Sequence, residues 1–188
     1  MTGKKYILRT MDKDGRSHGG FQWNLEIGGE TVAPDWSPRA ECGNGLHGFL
    51  NGQGDGSLAN WESDAIWAVV STTGEVVDLG GKVKFERGTT EFVGDLAGAA
   101  KFLSDLGINN AVIGGTATAG YRGTATAGNG GTATAGDYGT ATAGNGGALI
   151  IEYSDGIRPR VLVGYVGEDG IKPNVAYKIS DGKFVEAD

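Results

Sequence analysis

The sequence predicts an α+β protein that is mostly β. It comprises a small strand-rich N-terminal domain with one helix, a short two-coil β-solenoid of sixteen residues per coil, and a C-terminal β-hairpin cap. Three observations carry this. The 188 residues include 36 glycines and only four prolines, a glycine load that belongs to turns and tight strands rather than helices or a Pro/Gly linker. Residues 115–146 are four near-copies of one eight-residue phrase, GTATAGYRGTATAGNGGTATAGDYGTATAGNG. Residues 107–147 carry only Arg122 and Asp137 as charges, between two acidic flanks. The expected boundaries are therefore 1–106, 107–154 and 155–188.

In order along the chain, KKYILRT (4–10) reads as a strand, with Tyr6 and Leu8 alternating against Ile7 and Arg9. MDKDGRSHGG (11–20) is a turn segment. FQWNLEIGGETV (21–32) has the form of a hairpin through Gly28 and Gly29. Residues 33–61 make a long irregular loop, a kind of segment that tends to carry function in small domains. AIWAVVST (65–72) and EVVDLGGKVKFERG (75–88) are β-type runs. DLAGAAKFLSDLG (95–107) is the helix. Asp95 stands at its N-cap, Leu96, Ala99, Ala100, Phe102, Leu103 and Leu106 form its apolar face, and Gly107 stands at its C-terminal stop. ALIIEY, RVLVGYV and VAYKIS then alternate as strands joined by Asp-Gly turns.

In the repeat, residues two apart on an extended strand point the same way. Thr116, Thr118, Thr124, Thr126, Thr132, Thr134, Thr140 and Thr142 therefore form TxT faces, with alanines pointing inward. Asn-Gly at 129–130 and 145–146 alternates with Tyr121-Arg122 and Asp137-Tyr138, which sets the expected coil at sixteen residues. Two alanine-filled coils need plugs. GINNAVIG (107–114), with Ala111 in the matching position, and GALIIEYS (147–154) are read as cap coils. The TATAG octads with Tyr121 and Tyr138 at corners resemble the repeats of bacterial ice-nucleation proteins. That resemblance implies ordered-water binding by the threonines. Two rungs per face give a patch only about 10 Å on a side, too small for an ice embryo, so a spacer or stacking surface is the expectation.

The net charge of −7 argues against direct nucleic-acid binding, which needs clustered Lys and Arg. An acidic surface suits a basic protein partner instead. Cys42 is the single cysteine, so a reducing compartment is expected. No leader or membrane-length apolar run is read in the chain. The expected location is the cytoplasm, that of the host if the gene is phage-borne.

The chemistry-bearing stretch is ECGNGLHGF (41–49), with Cys42 and His47 five apart between glycines. Two ligands do not make a closed zinc site; GQGDGSLAN echoes the calcium turns of parallel β-rolls but as one copy has nothing to stack on, and MDKDG lacks the later ligands of an EF-hand. No metal or cofactor is expected. Of the four tryptophans, Trp23 and Trp67 read as core, whereas Trp36 and Trp61 sit in loop context. With His47 and Phe49, these two are the candidates for partner binding.

Gly20, Phe21, Gln22 and Trp23, followed by Cys42, Gly45, Leu46 and His47, resemble an uncharacterised domain family of phage and bacterial proteins over about residues 5–106. Its pattern is GF-Q-W … C-x-x-G-L-H, and the resemblance implies a phage or prophage setting without a mechanism. Arg9 on the first strand and the Gly45–Phe49 segment also resemble, more loosely, ADP-ribosyltransferase-like domains. That resemblance implies an NAD-using enzyme with Arg9, His47 and Glu86 or Glu91 as candidate catalytic residues. Ser71-Thr72-Thr73 only partly matches the family's Ser-Thr-Ser element.

The favoured expectation is a non-enzymatic interaction protein, phage- or mobile-element-encoded. It would bind a protein partner through loop 34–62, for instance to inhibit a host defence complex, with the repeat as rigid scaffold. The alternatives are a degenerate NAD-using enzyme and a purely structural spacer that self-associates through the repeat.

Overall fold

A computed structural model describes residues 3–108 and 112–187. The chain divides into two compact units, Met1–Asn110 and Ala111–Asp188.

The first unit holds β1 (Lys5–Met11), β2 (Glu30–Val32), β3 (Leu46–Leu50), β4 (Ile66–Thr72), β5 (Val76–Asp78), β6 (Val83–Phe85), β7 (Arg87–Gly94) and α1 (Leu96–Asp105). Its strands form one seven-stranded sheet in the order β2-β7-β4-β1-β3-β6-β5, antiparallel throughout. The helix starts where the Asp95 carboxylate accepts from the Gly98 N–H at 2.7 Å. It buries Ala99 and Leu103 and sets Phe102 against Phe92 of β7, ring centroids 5.7 Å apart. A separate cluster gathers Ile7, Met11, Trp23, Leu46, Ala68, Val70 and Phe85. Ile7 pairs with Val70, and Arg9 with Ala68, so Arg9 shares that cluster's face of the sheet. The hairpin expected through Gly28 and Gly29 does not form. Instead β2 pairs with β7, and the Gly28 N–H donates to the Thr90 carbonyl at 2.8 Å.

The second unit holds β8 (Thr116–Ala119), β9 (Thr124–Thr126), β10 (Thr132–Ala135), β11 (Thr140–Thr142), β12 (Ala148–Ser154), β13 (Pro159–Tyr165), β14 (Ala176–Ser180) and β15 (Lys183–Glu186). Here the expected architecture is overturned. The described residues form no two-coil solenoid standing between cap coils. The repeat strands are dealt alternately into two four-stranded mixed sheets, β13-β12-β10-β8 and β15-β14-β11-β9. Parallel pairing aligns Thr116 with Thr132 and Thr124 with Thr140. Each sheet then turns antiparallel where the C-terminal strands join it. The physical reason is bulk. Alanine interiors bury too little apolar surface to stand alone, and Leu149, Ile151, Ile171 and Tyr177 supply the missing mass in one cluster with Ala125, Ala133, Ala135, Ala141 and Ala143. The first cap octad, with Ala111, lies partly outside the described residues.

The threonines face outward as expected of an alternating strand. Thr116, Thr118, Thr124 and Thr126 are exposed, and Thr132, Thr134, Thr140 and Thr142 are half-buried. The turns differ in kind. Gly130 and Gly146 take the left-handed position at φ 66° and 64°, while Arg122 and Tyr138 occupy it at 57° and 60°. Glycine does this without steric penalty; a residue with a Cβ does not.

Candidate ligand-binding site

The site begins where two neighbouring strands part. The ladder between β1 and β3 is two residue pairs long, Ile7 with Leu50 and Leu8 with Phe49. Beyond it, Arg9 Nη1 donates to the His47 carbonyl at 3.2 Å, so a side chain takes over where the main-chain bonds stop. A cavity of about 800 Å³ opens there, lined among others by Arg9, Trp23, Asp35, Cys42, His47 and Lys82. That volume suits a small-molecule site.

Its electrostatics follow from burial. Among the described residues no carboxylate lies within ion-pair distance of Arg9. Loss of water brings its guanidinium down to about 10. The guanidinium lies over the Trp23 ring, 5.4 Å from the centroid. Trp23 is only 4% exposed and is braced edge-on by Phe21, centroids 6.1 Å apart. Burial, then the charges of Lys82, Arg9 and Lys84, push His47 down to about 4, against a weaker opposing pull from Asp35. His47 is therefore a neutral imidazole at neutral pH.

Three buried side-chain atoms of the described residues have no hydrogen-bond partner in the protein: Arg9 Nε, Trp23 Nε1 and His47 Nε2. All three residues line this one cavity. Leaving a buried donor or acceptor unmet costs about 1–3 kcal/mol. Three such atoms on residues that line one cavity single it out as the candidate site.

The wall of the cavity is held by a buried lysine. Lys84 is fully buried and donates from Nζ to the carbonyls of Glu41 at 2.9 Å and Gly43 at 3.3 Å. The loop between them carries Cys42, whose Sγ accepts from Lys82 Nζ at 3.2 Å. Gly45 ends the loop at φ 154°, where a Cβ would meet the Trp36 ring at 3.1 Å.

The sequence candidates disperse. Arg9 and His47 come together, and Phe49 is buried on the same cavity. Trp36 is half-buried beneath the Lys84 ammonium, 6.0 Å from its ring centroid. Trp61 is 48% exposed, packs at a tilt against Trp67 with centroids 5.3 Å apart, and donates its indole N–H to the Gly56 carbonyl at 2.8 Å. Glu86 pairs with Arg87 at 3.6 Å. Glu91 is bound by Lys4 and accepts from Ser71 Oγ at 2.6 Å. Ser71 pairs with Tyr6, three positions from Arg9, which puts that carboxylate's partner on the other face of the sheet from Arg9. Trp23 and Lys84 are the members the sequence reading did not select. Trp23 stood in the GFQW element, the one signal available. Lys84, in KVKF, alternates like a solvated strand face.

The pH response of His47 is an expected outcome of its burial. The unfolded chain takes up the proton near 6.5 and the folded one only near 4. Stability is therefore full above 6.5 and falls as pH drops from 6.5 towards 4. After discounting for the ring's partial exposure the loss is roughly 1–2 kcal/mol. Urea midpoints at pH values across that window should show the loss in the wild type and a smaller one in His47→Gln; equal slopes in both would refute it.

Comparison with known proteins gives three results. An ice nucleation protein of Xanthomonas campestris pv. translucens is 32% identical over 104 residues, 54% of this chain and 6% of that protein. The chain thus spans a small fraction of that relative's length. No solved structure matches. Residues 5–103, more than half of the chain and including Arg9, Trp23, His47 and Lys84, match the family described as Domain of unknown function (DUF7666), and the chain belongs to that family.

Proposed function

We propose that the protein is a non-enzymatic binding protein whose N-terminal unit holds a small molecule in the cavity between the parted ends of β1 and β3. That Arg9, Trp23 and His47 all line one cavity, each with a buried side-chain nitrogen that has no partner, carries this reading. It also gives the GF-Q-W … C-x-x-G-L-H pattern a physical sense. Of its eight positions here, Phe21, Trp23, Cys42, Gly45, Leu46 and His47 line the cavity, although they come from segments some twenty residues apart. The reading assigns no reaction, because Glu86 and Glu91 are each engaged elsewhere.

The experiment is a screen of small molecules, NAD, nucleotides, carboxylic acids and neutral aromatics, by nitrogen–proton correlation spectroscopy on the whole chain. A true ligand should shift the Trp23 indole N–H and lose most of its affinity in His47→Ala. If no compound moves Trp23 at roughly millimolar concentration, the proposal fails.

A second reading is favoured by one observation. Leu58, 49% exposed, lines the cavity, and Trp61, 48% exposed, lies three residues beyond it. That apolar rim suits docking of a protein partner on loop 34–62. Loss of a captured partner in Trp61→Ala, with small-molecule binding intact, would support docking over the cavity reading.

A further inference from the structure

We infer that the cavity recognises an oxyanion, a carboxylate or phosphate group, through the side of the Arg9 guanidinium formed by Nε and Nη2. The inference rests on the cavity being a ligand site and adds the class of ligand.

The geometry of one side chain makes the case. A guanidinium presents five N–H donors in a rigid plane. Nη1, the nitrogen on the Cδ side, is committed to the His47 carbonyl. The opposite side carries Nε–H and one N–H of Nη2, two parallel donors at the spacing of two oxygens of a carboxylate or phosphate. Nε is buried with no partner, and Nη1 is the one guanidinium nitrogen of Arg9 that has a hydrogen-bond partner among the described residues. The bond at Nη1 ties the group to the backbone of β3, and the guanidinium carbon lies over the Trp23 ring, 5.4 Å from its centroid. A cation over a ring face keeps its edge available for hydrogen bonds. The free fork is thus oriented before any ligand arrives.

Charge points the same way. A buried guanidinium without a counter-ion is costly, and burial already weakens its hold on its proton. A neutral ligand would leave that charge unbalanced; an oxyanion neutralises it. Trp23, which lines the same cavity, holds a further N–H donor that is buried without a partner. Lysine could not substitute, since its ammonium is a point charge without a planar fork.

The test uses three ring compounds of similar shape on nitrogen-15-labelled whole chain: benzoate, phenyl phosphate and the neutral benzamide. The readouts are the Arg9 Nε–H and Trp23 Nε1–H resonances. At least one acid should shift both at about tenfold lower concentration than benzamide. Whichever acid binds more tightly identifies the source of the oxyanion. Arg9→Lys should weaken the acids about tenfold and benzamide by a clearly smaller factor. Trp23→Phe keeps the ring, loses the donor, and should weaken the acids by a smaller factor, so the inference remains testable if Arg9→Lys fails to fold. Benzamide binding as tightly as the acids would overturn the oxyanion inference and leave the cavity reading standing. If neither acid shifts either resonance at roughly ten millimolar, the inference also falls, while the broader screen judges the cavity independently.

Discussion

Replacing Ala133 with leucine should unfold the C-terminal unit. Ala133 is 0% exposed. It sits in parallel register between Ala117 and Leu149, in the cluster it shares with Ala125 and Ala141 of the other sheet. Overpacking a well-filled core commonly costs 1–3 kcal/mol because neighbours rotate aside. Here most neighbours are alanines, which have no χ angle to rotate, so the backbone of one sheet must move. The expected cost is about 4 kcal/mol or more, comparable to the whole stability of a unit this small. Near-ultraviolet circular dichroism of tyrosine reads this selectively. Five of the six tyrosines lie beyond residue 120, and all four tryptophans lie before residue 70. A leucine variant with the wild-type tyrosine transition would mean that the alanine interior is not close-packed.

The second large effect is expected at Lys84. Its stem is fully buried and its ammonium satisfies two loop carbonyls. Lys84→Ala removes three methylenes and the ammonium and orphans both carbonyls, for about 3–4 kcal/mol. Lys84→Met keeps most of the stem and isolates the polar share, about 1–2 kcal/mol. Both variants release the strip from Glu41 to Gly43, of which Cys42 and Gly43 line the cavity, so ligand affinity should fall in parallel with stability. Denaturant midpoints together with Trp36 fluorescence check this, because the Lys84 ammonium lies over that ring. If both variants match the wild type within about 0.5 kcal/mol, Lys84 does not hold the loop.

These two residues also show what a sequence can and cannot disclose. The helix was legible from Asp95 to Gly107, since capping is a local property written in consecutive residues: the Asp95 bond forms and Gly107 takes φ 80°. Strand spacing in the repeat was legible for the same reason, because glycine returns every eight residues. The sixteen-residue pairing interval was legible too, but the C-terminal strands that complete the two sheets were not. The mixing of parallel repeat strands with antiparallel C-terminal ones depends on Leu149, Ile151 and Tyr177 filling the space left by alanine, a tertiary fact. In the site, Arg9 and His47 were legible as chemistry but not as neighbours, and the parting of β1 from β3 has no signature along the chain. Trp23 is core by burial; its unpartnered N–H sets it apart. Lys84 looked solvated because alternation cannot show that a loop folds back over the outward face of an outer strand.

The dealing of repeat strands between two sheets governs the order in which the C-terminal unit assembles. β12 with β13, and β14 with β15, join strands adjacent in the chain, contacts that close early. The repeat pairings instead join residues sixteen apart, with little apolar gain per strand until a neighbour is in place. Assembly is therefore expected to run backwards along the polypeptide, the late hairpins nucleating and the threonine–alanine strands joining them one after another. Residues 115–146 are then expected to order only once the strands that template them have been synthesised.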